Sequence, residues 1–357
     1  MKILLCGGGT AGHVNPALAI AETIKRNSPD STFAYVVTEN GIENRLSPYK
    51  KYVIRVRGLK KSLLSNIKTI YITLMAINEC KKIIKDFKPD LVIGTGGYST
   101  YPVIRAAAKK GIKTVIHESN VYPGKTTRML SKFADIIFLN YEESREYFKD
   151  RKTVVCGTPF LQGFLKNSRN GARYKEGKTV LCFGGSLGAE KINECAFMLA
   201  KDIADKNIRL IWGCGVREYD KCKKMLKDAR VFNNKNILLR DYINNMPDVL
   251  AEADIVICRA GAMSIAEMAY NKKCTVFIPS PNVTDNHQYK NAKIIADMGA
   301  AYLVEEKDID KVPDIVNMLL NNNEKREEMS RRIGEMCIRD SNKIIYGEIC
   351  NLLNIHL

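Results

Sequence analysis

No apolar run in this 357-residue chain approaches the roughly 18 residues of a membrane span, so none is expected to cross a bilayer. The first apolar run is only Ile3 to Cys6, and a glycine loop follows at once, so no secretory signal is expected. No C-x-x-C occurs among the eleven cysteines, whose number is odd and whose positions are scattered. Cys6, Cys156, Cys182 and Cys258 sit inside apolar, strand-like runs, which fits buried, reduced thiols in a reducing cytosol. There is one tryptophan, aromatics make up 8% of the chain, and no basic–aromatic recognition motif appears. Nucleic acid is therefore disfavoured as a partner. Low-complexity tracts and a convincing metal cluster are also missing. Asp308-Ile-Asp310 spells D-x-D, but it stands in the polar stretch "EEKDIDKVPD" and reads as a solvated turn.

The charge is not scarce. Net charge is +17 and the pI about 9.3, which points to a polyanionic partner: an anionic membrane face or phosphorylated substrates. The length suits two domains, and 45% apolar residues can bury a sizeable core in each. "KILLC", "TFAYVVT", "DLVIGT", "KTVIHE", "DIIFLN" and "TVVCGTP" read as strands in the first half. "TVLCFGG", "IRLIWG", "NILLRDY", "DIVICRA", "CTVFIPS" and "AYLVEE" do so in the second. Helical patterns such as Pro16–Arg26, Leu63–Phe87 and Glu190–Lys206 lie between them. Nearly continuous apolar strands alternating with helices predict buried parallel sheets, an α/β fold. The polar, basic stretch Lys166–Lys178 reads as a linker, and residues 323–354 read as two outer helices.

The halves echo each other. "GGTAG" (Gly8–Gly12) follows the first strand of one, and "GGSLG" (Gly184–Gly188) follows the first strand of the other. Sharp strand-to-helix turns without Cβ atoms let backbone N–H groups approach an anion at a helix N-terminus. Gly7, Gly9 and Gly12 also spell G-x-G-x-x-G, a weak dinucleotide signal by itself. The expected acid at the end of a second strand is represented only by Glu39, and two matched loops fit one dinucleotide poorly. Asn15 and Pro16 read as the N-cap and first residue of the first helix. Further loops at strand ends are "GTGGYSTYP", "CRAGAMSIAE" and "PSPNVTDNHQYKNA", where ligands of open α/β sheets bind.

"GGGTAGHVNPALAIAE", "GTGGYSTYP", "HESN", "GGSLGAEKINE", "CRAGAMSIAEMA" and "HQYKNA…GAA", in this order, resemble the MurG family of glycosyltransferases. The resemblance runs from residue 3 to about residue 305. It implies a GT-B fold: α/β, two Rossmann-like doubly wound domains facing a cleft. The expected division is 1–163 for the acceptor and membrane, with a C-terminal helix at about 340–357 packing back, and 164–339 for the UDP-sugar. The implied reaction moves GlcNAc from UDP-GlcNAc to undecaprenyl-diphospho-MurNAc-pentapeptide, with inversion and without metal, cofactor or covalent intermediate. The implied setting is the cytoplasmic face of the cell membrane, with peripheral attachment.

The resemblance also implies site roles. His13 matches a histidine proposed as general base. Thr10, Ala11 and Gly12 match a loop near the donor sugar and the acceptor diphosphate. Gly8, Gly9, Gly96, Gly97 and Tyr98 are expected around that diphosphate. Asn120 matches a donor-sugar contact, Ser186 the serine on the donor phosphates, and Ile243 the residue whose backbone reads the uracil. Ala262, Met263, Ser264, Ile265, Ala266 and Glu267 match the stretch along the nucleotide, with Glu267 on the ribose hydroxyls. Gln288 matches the glutamine on the sugar hydroxyls. The sequence departs from the family at Leu161, where an arginine is usual, and at Leu187, where glutamine is usual. A related transferase with another lipid acceptor and a UDP-GlcNAc 2-epimerase-like isomerase remain alternatives.

Several residues have competing structural readings. An imidazole at His13 suits proton abstraction near neutral pH, or a hydrogen bond within the loop. His117 reads as a satisfied core histidine, and Glu118 as a rival base. Ser264-x-x-Glu267 is formally a capping box, which competes with ribose binding. In Arg55–Leu74, Arg57, Lys60, Lys61 and Lys68 lie beside Leu63, Leu64, Ile67, Ile70 and Tyr71. That pattern suits an anionic membrane surface or a core-facing helix with a basic back.

Overall fold

The computed structural model describes residues 1–58, 63–167, 177–185, 188–203 and 206–355, except the side chains of 63–68, 166–167 and 284. The chain divides into two compact units: Met1–Gln162 with Ile338–Leu357, and Gly163–Cys337.

The first unit carries strands β1 (Lys2–Cys6), β2 (Thr32–Thr38), β3 (Lys50–Ile54), β4 (Leu91–Gly94), β5 (Lys113–Glu118), β6 (Ile136–Leu139) and β7 (Thr153–Val155). They form one sheet in the order β3-β2-β1-β4-β5-β6-β7, every pair parallel. The strands are apolar on both faces because both faces are covered. On β1, Ile3 and Leu5 join Val14, Ala17 and Ile20 of helix Ala11–Asn27 and Ile345 and Ile349 of helix Ser341–Leu352. Leu4 and Cys6 face the other way, toward Cys80 and Ile84 of helix Leu63–Phe87 and Val103 and Ile104 of helix Thr100–Lys109. Leu5 is fully buried, and truncating it to alanine would cost about 2–5 kcal/mol.

The second unit has β8 (Lys178–Phe183), β9 (Ile208–Gly213), β10 (Ile237–Arg240), β11 (Ile255–Cys258), β12 (Cys274–Phe277) and β13 (Tyr302–Leu303). Their order is β10-β9-β8-β11-β12-β13, again all parallel. In both sheets the order reverses beside the unit's first strand, which opens a crevice at the carboxyl ends of β1 and β4 and of β8 and β11. Both glycine loops leave the first strand at those points.

One local expectation is corrected. The first helix begins at Ala11, not Pro16. Thr10 is the N-cap in extended conformation, and its carbonyl accepts from the His13 and Val14 N–H groups at 3.1 and 3.2 Å. Pro16 therefore lies inside the helix, and His13 stands in its first turn. Strand β3 had no counterpart in the sequence reading, since "KKYVI" is an edge strand with exposed lysines. Ten of the eleven cysteines are buried and none of those ten is in a disulfide.

Candidate active site

The loop after β1 and the loop after β4 meet at the switch point of the first unit. Gly8 N–H donates to the Gly96 carbonyl at 3.2 Å, and the Thr95 hydroxyl donates to the His13 carbonyl at 2.6 Å. The approach is close enough to require glycine. A Cβ on Gly97, which has φ +83°, would lie 2.3 Å from the Gly8 carbonyl oxygen. A Cβ on Gly96 would lie 2.7 Å from His13 Cδ2 and 3.0 Å from its Nε2. Gly8, Gly9, Gly96, Gly97, Tyr98 and His13 are thus brought together. Gly9 and Thr10 are exposed, Ala11 to His13 are half-buried, and the Tyr98 ring is 41% exposed.

His13 Nδ1 lies 2.9 Å from the Gly8 carbonyl oxygen and 3.4 Å from the Thr10 hydroxyl. A carbonyl only accepts, so Nδ1 carries the proton in the neutral ring and Nε2 carries the lone pair. That nitrogen is beside Gly96, on the side of the β4 loop.

A residue that sequence reasoning missed underlies this loop. Glu43 is fully buried. Its Oε1 accepts from the Thr38 N–H at 3.1 Å and the Thr38 hydroxyl at 2.6 Å, and its Oε2 accepts from the Gly9 N–H at 3.1 Å. Burial opposes its charge, but these donors outweigh burial and hold its carboxyl below the ordinary value. Glu39, the acid weighed from the sequence, is exposed in the turn after β2.

The loop after β5 is held by a second carboxylate. Glu118 accepts from the Asn120 N–H and side-chain amide, both at 2.9 Å, and from the Gly124 N–H at 3.0 Å. Ser144 Oγ donates to the carbonyls of Asn120 and Val121. Glu118 therefore organises the loop that carries Asn120. His117 is buried, with Nε2 3.0 Å from the Gly157 carbonyl, and burial lowers its pKa. It is a satisfied core histidine.

In the second unit the switch-point loop after β8 includes Gly184, Gly185 and Gly188; Ser186 and Leu187 lie outside the described residues. Helix Ala262–Tyr270 follows β11 with Gly261 as N-cap. Ala262, Met263, Ser264, Ile265 and Ala266 form its first turn and a half. Ser264 is inside the helix, so the capping box is not formed. None of the described residues hydrogen-bonds the Glu267 carboxylate, and burial raises its pKa to about 7. Arg259, also missed from sequence, donates to the Ile278 carbonyl at 3.0 Å and to Glu306 at 2.5 Å, tying the ends of β11 and β12. Ile243 is buried against Gly213 at the end of β9. Gln288 Oε1 accepts from the Ser280 N–H at 2.9 Å, fixing the loop after β12.

A cavity of about 850 Å³ in this unit is lined by Lys191, Glu194, Pro279, Tyr289 and Glu306 among others, and by none of the candidate donor residues. Among the described residues no group of three metal-ligating side chains occurs. Asp308 pairs with Lys311 at 2.6 Å, as a solvated turn would. Lys60 and Lys61 lie outside the described residues. On helix Leu63–Phe87, Thr69, Ala76 and Cys80 are buried, while Ile70, Tyr71, Leu74 and Met75 are 49–64% exposed. Among the described residues no helix is long and apolar enough to cross a membrane.

The glycosyltransferase family 28 N-terminal domain matches residues 3–139, and the family 28 C-terminal domain matches residues 179–343. A protein of Thermoanaerobacter sp. named UDP-N-acetylglucosamine--N-acetylmuramyl-(pentapeptide) pyrophosphoryl-undecaprenol N-acetylglucosamine transferase is 38% identical over 97% of this chain and 98% of its own. The crystal structure of Acinetobacter baumannii MurG superposes with a TM-score of 0.78 at 27% identity, covering 98% of this chain and 99% of that one. A structure titled as a putative UDP-N-acetylglucosamine 2-epimerase from Listeria monocytogenes has a TM-score of 0.73 at 13% identity, covering 99% and 96%, a likeness of fold alone.

Proposed function

Because this chain belongs to the MurG family within glycosyltransferase family 28, we propose that it transfers GlcNAc from UDP-GlcNAc to undecaprenyl-diphospho-MurNAc-pentapeptide, the step from lipid I to lipid II in peptidoglycan synthesis. The observation that carries this reading is 38% identity, nearly end to end, with a transferase named for that reaction. The epimerase alternative shares the fold at 13% identity.

The first unit takes the acceptor. Its diphosphate lies against the open backbone around Gly8, Gly9, Gly96, Gly97 and Tyr98, the Gly8 and Gly9 N–H groups themselves being held by the Gly96 carbonyl and Glu43. His13 Nε2 takes the proton of the attacking sugar hydroxyl, a role suited to an imidazole whose Nδ1 proton is already committed to Gly8. The second unit takes the donor. Ser186 and the loop around it hold the phosphates, Ile243 meets the uracil, and Ala262 to Glu267 run along the nucleotide with Glu267 on the ribose. Thr10, Ala11, Gly12, Asn120 and Gln288 address the transferred sugar. The departing UDP is stabilised by backbone N–H groups at helix N-termini.

The chain works on the cytoplasmic face of the cell membrane as a peripheral protein. Helix Leu63–Phe87 faces the core through Ala76, Cys80 and Ile84, and the exposed apolar set Ile70, Tyr71, Leu74 and Met75 on it, in a chain of net charge +17, supports docking on an anionic bilayer.

The test is UDP release from UDP-GlcNAc by the purified chain, with and without a short-chain analogue of the lipid acceptor. The account expects release only when the analogue is present. UDP release or sugar isomerisation that ignores the analogue would favour the epimerase reading.

A further inference from the structure

We propose that Glu43 is a positioning residue for His13, acting as its remote carboxylate partner through the single peptide unit between Gly8 and Gly9. This rests on the reading of His13 as general base. The Gly9 N–H donates to Glu43 Oε2 at 3.1 Å, and the Gly8 carbonyl accepts from His13 Nδ1 at 2.9 Å. Those two groups are the ends of one planar amide. The path is carboxylate, N–H, C=O, then imidazole N–H.

A carboxylate on the N–H end pulls that amide's polarisation toward its carbonyl oxygen. The oxygen becomes a stronger acceptor, and the imidazolium formed when Nε2 takes a proton is stabilised. The same bond fixes the ring plane and the tautomer.

The local structure is built to admit this carboxylate. A Cβ on Gly8 would lie 2.6 Å from it, and one on Gly41 would lie 2.0 Å from Oε1. Thr38 supplies two donors to Oε1, which keep the group oriented and ionised inside the fold. Tyr35 and Cys6, buried beneath the loop, stay neutral. The Tyr35 hydroxyl donates to the Gly7 carbonyl at 2.7 Å, and burial pushes both Tyr35 and Cys6 up. Glu43 is thus a fixed charge linked to His13 through the amide.

The experiment is an NMR titration of the full chain labelled at its four histidines, with His13 assigned by loss of its signals in His13→Gln. It is run on the wild type, Glu43→Gln, Glu43→Asp and Thr38→Val, alongside pH profiles of kcat/KM. The proposal expects the His13 midpoint to move to lower pH in Glu43→Gln, and the acid limb of kcat/KM to move with it. Activity near neutrality falls about 10- to 100-fold, by analogy with the loss of an outer partner of a metal-bound histidine. Glu43→Asp restores part of both. Thr38→Val leaves more of the carboxylate's charge for the Gly9 N–H and moves the midpoint up. Melting and UDP binding establish that each variant is folded.

An unmoved His13 midpoint in folded Glu43→Gln overturns the proposal and makes Glu43 a loop anchor only. If Glu43→Gln does not fold, an unmoved midpoint in Thr38→Val overturns it. Failure of the base reading looks different: the acid limb would persist in His13→Gln, whatever the titration shows.

Discussion

The Nδ1 of His13 sits 2.9 Å from the carbonyl oxygen of Gly8, so the ring's remaining lone pair is on Nε2, beside Gly96. The glycine loop thus sets a histidine tautomer. His13→Gln keeps the size of a polar side chain but cannot take a proton. We expect kcat to fall by about 10²- to 10⁴-fold, with the acid limb of the pH profile abolished and UDP binding retained. A steady-state pH series on a soluble acceptor analogue checks this.

Glu267 gives a pH signature in the donor site. Burial raises its carboxyl to about 7, so under the ribose-binding role proposed for it the ionised, accepting form grows in as pH rises through neutrality. The KM for UDP-GlcNAc should fall across that range in the wild type. In Glu267→Gln it should be higher and flat. Stability runs the other way. The folded pKa lies above the unfolded one, so the folded state holds an extra proton between the ordinary carboxylate range and about pH 7, and stability is lost as pH rises through that window. Glu267→Gln should therefore melt higher than the wild type at pH 8, which calorimetry would detect.

Glu118 is expected to behave as a loop clamp. Its two oxygens accept from Asn120 and Gly124, and an amide cannot accept all three bonds. Glu118→Gln should cost about 1–3 kcal/mol of stability and raise the donor KM through Asn120. The acid limb of kcat/KM should stay where it is. A displaced limb would return Glu118 to the list of bases.

The exposed apolar face of helix Leu63–Phe87 predicts selective loss of membrane binding. Replacing Ile70 and Leu74 by glutamate should reduce co-sedimentation with vesicles containing anionic lipid by about tenfold or more. Turnover of a soluble short-chain acceptor should be unchanged. Added salt should weaken wild-type binding, because basic residues contribute about 1 kcal/mol each near such a surface.

Much of this was legible in the residues. Both sheets were, except β3, because buried parallel strands leave continuous apolar runs, whereas Lys50 and Lys51 on an edge strand do not. The glycine loops and His13 were legible by position after β1. The start of the first helix was not: Asn15-Pro16 is a good local signal, but the extended Thr10 caps the helix earlier and Pro16 is tolerated inside. Glu43 was not legible because nothing local marks it. It lies in a short helix, and its role arises only when the β2 turn folds under the β1 loop, 34 residues earlier in the chain. The Ser264–Glu267 spacing left a capping box open beside ribose binding, since a four-residue motif cannot show that Gly261 is already the N-cap. Leu161 has no structural explanation as a replacement for the family's arginine.

The central claim is a transfer reaction, and identifying its product tests it most directly. The chain is incubated with UDP-GlcNAc and a short-chain diphospho-MurNAc-pentapeptide lipid, and the lipid product is examined by mass spectrometry and proton NMR. The account predicts an acceptor heavier by one GlcNAc residue, joined with inverted anomeric configuration, in amounts equal to the UDP released. An unmodified acceptor beside consumed UDP-GlcNAc, or a different sugar on the lipid, would contradict it.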